Sequence, residues 1–99
     1  MAKFLVLWQL DQARTPVDAT ERGTTWTMFL ETVKQQIEQG IMTDWGAFPA
    51  ESRGFSLAEG TADEITAALM PYIPYVMFEV HPVLSVDAMV DIIKTTTGT

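Results

Sequence analysis

The chain opens on "KFLVLWQL", residues 3–10, which is apolar at both phases of a two-residue period, the pattern of a strand in the middle of a sheet. The polar "DQARTPVDAT" that follows reads as a loop. From about Thr20 to Gln39 the period lengthens: Trp26, Phe29, Leu30, Val33 and Ile37 recur at helical spacing, with Glu31, Lys34, Gln35 and Glu38 on the other side. Gly40 is a natural stop, and Gly23 predicts that the regular helix starts only near Thr24. "IMTDWGAF" and "RGFSLAEG" are then two short strands joined by a hairpin at "PAES". Thr61 and Glu64 stand at capping-box spacing ahead of a second helix, with Ile65, Ala68 and Leu69 as its buried stripe and Pro71 ending it. A last strand runs to about Val80. Ser85 caps a third helix over about 85–95, in which Val86, Met89, Val90 and Ile93 align, and the polar tail "KTTTGT" is expected to fray.

The order β-α-β-β-α-β plus a terminal helix is that of an α+β, ferredoxin-like split βαβ domain. Right-handed crossovers put both main helices on one face of a four-stranded antiparallel sheet. The stretch "PYIPYVMFEVH" then poses a question. Val76, Phe78 and Val80 share one face of the last strand and fit beneath the helices, which sends Tyr75, Met77, Glu79 and His81 to the uncovered face. On the first strand, Phe4, Val6 and Trp8 share a face opposite Leu5 and Leu7. With the leucines beneath the helices, Trp8 would line the open face beside Glu79 and His81, since the first and last strands are neighbours.

Ninety-nine residues make one domain, with a core expected over 3–84 and the terminal helix appended. Apolar residues are 47% and charged residues 19%, a packed and not a disordered composition. The net charge of −7, with only six Lys and Arg, argues against nucleic acid and against an anionic membrane surface. No cysteine excludes a disulfide framework and is compatible with the cytoplasm, the expected location. The opening strand has no cleavage site of a leader, and no run is long enough to span a bilayer.

Three stretches resemble the dimeric α+β barrel superfamily, and within it the muconolactone-isomerase-like proteins: "KFLVLWQL", "GIMTDWGAFPAESRGFSLAEGTADEI" and "LMPYIPYVMFEVHPV". They cover most of residues 3–84. The resemblance implies a homodimer, or a higher homo-oligomer, with two sheets packed face to face and a ligand pocket between sheet and helices.

Among candidate chemical groups Glu79 and His81 lead. Two residues apart on one strand face, they rise about 7 Å, so one small ligand or a water can touch both. A carboxylate beside an imidazole favours its charged form and keeps it in range for proton transfer. The plain alternative is a half-exposed histidine at a strand exit. Trp8, Tyr75, Met77 and Phe4 are the expected ligand-contacting residues, and Arg53 is the candidate clamp for a ligand carboxylate. Desolvation of Glu79 beside Tyr75 and Met77 is expected to help poise the pair. One histidine and no cysteine give no zinc site, and no nucleophile elbow, phosphate loop or dinucleotide fingerprint is present, so neither metal nor cofactor is expected. The resulting expectation is a small-molecule-binding protein acting by metal-free isomerisation or cofactor-free oxidation on a small cyclic or aromatic compound. The alternative is a non-catalytic ligand-binding or assembly module.

Overall fold

The structure, a computed structural model, describes residues 2–98. Four strands and three helices follow in the expected order: β1 (Lys3–Leu10), α1 (Ala19–Glu38), β2 (Met42–Ala47), β3 (Arg53–Glu59), α2 (Ala62–Leu69), β4 (Val76–Val83) and α3 (Val86–Thr97). The strands lie in the order β2-β3-β1-β4, every neighbouring pair antiparallel, which is the ferredoxin-like arrangement with a helix added at the C-terminal end.

Local signals explain most boundaries. Thr61 Oγ1 accepts from the Glu64 N–H at 3.1 Å, while Glu64 Oε1 accepts from the Thr61 N–H at 2.9 Å, a complete capping box at the start of α2. Helix α1 starts earlier than Gly23 suggests: the Asp18 carboxylate accepts from the Glu21 N–H at 3.0 Å, and this cap carries the helix through the glycine. Strand β4 extends past Val80 to Val83, through His81 and Pro82. Proline is tolerated there because β4 is an edge strand whose outer side needs no donor. Helix α3 also outruns its expected end, reaching Thr97 before Gly98 closes it in the left-handed conformation at φ 73°.

Helices α1 and α2 cover one sheet face. Beneath them lie two adjoining clusters, one of Trp8, Leu10, Val33, Met42, Tyr72 and Val76, the other of Val6, Ala58, Ile65 and Leu69. The phase of β1 is therefore the reverse of the one expected. Phe4, Val6 and Trp8 face the helices, and Leu5 and Leu7 face away. The register enforces this, because Trp8 stands opposite Phe78, a helix-side residue, whereas Leu7 stands opposite Glu79 and Leu5 opposite His81. Both phases of "KFLVLWQL" are apolar, so alternation alone cannot choose. Volume does: the bulkier aromatics fill the deep space under α1, and the leucines suffice on a flat outer face.

Trp8 is the centre of that packing. Its indole stacks on Trp45 of β2 at a centroid distance of 5.3 Å and meets the edge of Trp26 of α1 at 5.9 Å. The indole N–H donates to the Phe55 carbonyl at 3.3 Å. The ring has room because its cross-strand neighbour is Gly54, where a β-carbon would fall 2.5 Å from the indole and against the Gly46 carbonyl. Changing Gly54→Ala is therefore expected to lower unfolding free energy by about 1–3 kcal/mol, the usual cost of overpacking. A urea denaturation midpoint equal to the parent's would contradict this packing.

Candidate functional site

The outer sheet face, left bare by α1 and α2, is built in rows fixed by the register. Gln9 is flanked by Met77 and Arg53, Leu7 by Glu79 and Phe55, and Leu5 by His81 and Leu57. Its centre is thus aliphatic and aromatic, while its β4 edge carries the titratable pair. His81 Nε2 lies 3.5 Å from Glu79 Oε2, within ion-pair reach, so the period-two spacing does bring the two side chains together. Their side chains are half exposed or more, 50% for His81 and 66% for Glu79. The burial expected for Glu79 is thus missing from the single chain, and Met77 beside it is itself exposed.

Next to the pair is a shallow depression of about 340 Å³ whose rim and floor include Leu7, Gln9, Phe48, Arg53, Met77 and Glu79. Arg53 reaches it from the start of β3. Its guanidinium holds Glu51 at 3.0 Å and lies 6.0 Å from the centre of the Phe48 ring, which in turn stacks on Phe55. The arginine is thus partnered and exposed. Glu79, His81, Met77 and Arg53 therefore share one face.

Phe4 and Tyr75 do not join them, whereas Trp8 also lines the depression although its ring packs on the helix side. Trp8 and Phe4 lie under the helices through the reversed phase of β1. Tyr75 precedes the first ladder pair of β4, Leu10 with Val76, so strand alternation does not extend to it. Its ring instead sits 6.1 Å from Phe29 of α1. Asp44, whose environment the sequence left open, is exposed at the edge strand and its carboxylate accepts from the Trp45 N–H at 2.9 Å.

The helix side holds a second feature, a cavity of about 30 Å³ among Trp8, Trp26, Phe29, Trp45, Tyr72 and Phe78. That is room for about two waters and not for an organic ligand. Beside it runs a buried polar chain that periodicity passed over. The Tyr72 hydroxyl donates to Gln36 Oε1 at 2.8 Å, and Gln36 Nε2 donates to the Ala68 carbonyl at 2.7 Å, linking α1, α2 and the turn at Met70–Tyr72. Gln36 lies three residues after Val33 on the buried stripe, a position its polarity disguised, while Leu30 and Ile37 sit exposed on the flank. Burial pushes the Tyr72 hydroxyl from 10.0 up to about 12. Among the described residues, no group of three or more His, Cys, Asp or Glu side chains is placed to hold a metal ion, and no helix is long and apolar enough to cross a membrane.

Residues 2–97 match the model of a family described as a domain of unknown function (DUF3303), and the chain belongs to that family. No curated protein sequence matches it.

The polar chain can be tested apart from the site. Tyr72→Phe leaves Gln36 Oε1 buried without a donor and is expected to cost about 1–3 kcal/mol in denaturant unfolding. The raised hydroxyl also sets a pH window: the native state holds its proton more tightly than the unfolded chain, so this contribution is intact below pH 10.0 and lost as pH climbs to about 12. Tyr72→Phe should remove that alkaline step from the stability profile. An unchanged step would assign it to another group.

Proposed function

We propose that this member of the DUF3303 family is a homodimeric small-molecule-binding protein of the dimeric α+β barrel kind, with its site on the outer sheet face around Glu79 and His81. The supporting observation is the pair at 3.5 Å beside a depression that also carries Arg53. An apolar floor of Leu7 and Met77 suits a small cyclic or aromatic body, Arg53 suits a carboxylate on it, and the pair suits a proton moved between two positions of the bound compound. That is the chemistry of a metal-free isomerisation, or of a cofactor-free oxidation in which proton removal leaves a carbanion and dioxygen, supplied from solution, accepts its electrons. The muconolactone-isomerase resemblance of the sequence points the same way.

A second copy is part of this reading. Leu5, Leu7, Phe55 and Leu57 form a contiguous apolar centre on an uncovered face, the kind of patch that soluble monomers seldom leave open. A second sheet packed on it, about 10 Å away, would cover it. The same packing would supply the desolvation that Glu79 lacks in the single chain, and so would couple assembly to acid-base readiness. The apolar centre also supports a second reading, a non-catalytic assembly module in which the outer face serves only as an interface.

Two measurements separate these. Light scattering at micromolar concentration is expected to give a dimer, and Leu57→Asp a folded monomer; a monomeric parent removes the interface from both readings. Glu79→Gln and His81→Ala are each expected to abolish the thermal stabilisation, or turnover, produced by the responsive members of a panel of aromatic carboxylates and lactones, with the dimer intact. If no member of the panel stabilises the parent, or both variants respond like it, the assembly-module reading prevails.

A further inference from the structure

Helix α3 is out of keeping with the rest of the molecule. It is twelve residues long, capped by the Ser85 hydroxyl accepting from the Ala88 N–H at 3.0 Å and closed by Gly98, yet none of its residues is buried and it joins neither core cluster. The molecule measures 61 × 25 × 20 Å, elongated for a chain of this size because the helix projects from the body. Its sequence is sharply two-sided. Val86, Met89, Val90 and Ile93 fall on one stripe, all at least 41% exposed, while Asp87, Asp91 and Lys94 fall on the other side. A free helix of this length is marginal in water, so a stripe this regular implies a surface that covers it.

We propose that α3 is an arm that packs this stripe against a second copy of the same chain, each copy giving its helix to the other. The inference rests on the homodimer reading above and extends it. Three observations select the occupant. The stripe continues the outer sheet face: Met77 and Val83 on β4 lead through Leu84, 63% exposed, and Val86, 79% exposed, directly into α3. Only Leu84 and Ser85 separate strand from helix, so a copy seated on the sheet face lies alongside the arm.

Area is the second. A four-stranded face about 19 Å wide and 23 Å long offers about 450 Å² per copy, well short of the roughly 800 Å² per partner of a stable interface. An arm about 18 Å long and 10 Å wide, given by each copy and received by each, supplies about the missing 350 Å².

Charge is the third. Each chain carries −7, so two copies meet with least repulsion through uncharged surface, and the stripe and the Leu5, Leu7, Phe55, Leu57 centre are both free of charged residues. A membrane is a poor occupant by the same measure, because the polar face of α3 sets two aspartates against a single lysine, whereas surface-seeking helices are rich in cations.

The test uses the whole chain. Because it has no cysteine, Asp91→Cys on the polar face of α3 gives one attachment point for a nitroxide. Spin-labelled chain of natural isotope content is mixed with an equal amount of unlabelled ¹⁵N chain, so that only contacts between copies broaden the observed amides. The expected result is loss of at least half the intensity at a discrete set of amides in the ¹⁵N chain. Broadening only when label and isotope share one chain means that the helix folds back, and overturns the proposal. So does absence of broadening in a sample that light scattering shows to be dimeric. As a second measurement, Val90→Asp is expected to weaken dimerisation at least 100-fold with the core still folded. A dimer of unchanged affinity would leave the sheet interface standing and reject the arm, whereas a parent that is monomeric throughout rejects both. Co-sedimentation of the parent, but not Val90→Asp, with vesicles of anionic phospholipid would reassign the stripe to a membrane.

Discussion

The seat of Trp8 over Gly54 is the constraint on which the rest of this molecule depends. A central strand can present only one of its two apolar phases to a helix layer, and placing the largest side chain there fixes the choice for every residue of β1. Through the ladders, that choice passes to β3 and β4. With Trp8 inward, Phe78, Ser56 and Val6 are inward too, and Leu5, Leu7, Glu79 and His81 are outward. One indole, fitted where a neighbouring strand lacks a side chain, thus decides which face of the sheet holds the core and which holds the titratable pair.

The two faces are then settled by different physics. The inner face is filled except at Val80 near the end of β4, which stays exposed: aromatic rings meet at 5–6 Å, and among the described residues no buried side-chain polar atom lacks a partner. The outer face is incomplete in itself, with apolar side chains at its centre, charged ones at its margin and no layer above it. A domain of this size has too few residues to build a second layer from its own chain. Its one spare element, α3, has no buried residue and joins neither core cluster. Both the chemistry proposed for Glu79 and His81 and the covering proposed for α3 follow from that shortage.

Element order, strand pairing and the caps of the second and third helices were legible because each rests on a local signal: periodicity changes at Thr20 and Ile41, and the Thr61–Glu64 box is spelled in four residues. The association of Glu79 with His81 was legible for the same reason, two side chains on one strand face. What could not be read was the face of β1. "KFLVLWQL" is apolar at both phases, so its orientation is decided by the strand beside it and by Gly54, some 46 residues away in sequence. That single ambiguity turned Phe4 and the ring of Trp8 to the helix side, although Trp8 still lines the depression. Tyr75 was lost because alternation holds only once a ladder has begun, and Gln36 was hidden because a polar residue on a buried stripe declares itself only through its partner, Tyr72. The sharp stripe of α3 was visible in sequence, but a stripe predicts burial and not by what.

The near-parallel stack of Trp8 and Trp45, with ring planes 7° apart, has an optical consequence. Two indoles this close share their excited states, and their coupled transitions produce a paired positive and negative signal in far-ultraviolet circular dichroism that neither gives alone. Trp8 belongs to the central strand and Trp45 to the outermost one, so this pair's share of the signal, separate from that of Trp8 with Trp26, is lost when the edge strand undocks. The molecule thus carries its own gauge of sheet integrity, readable without any added dye.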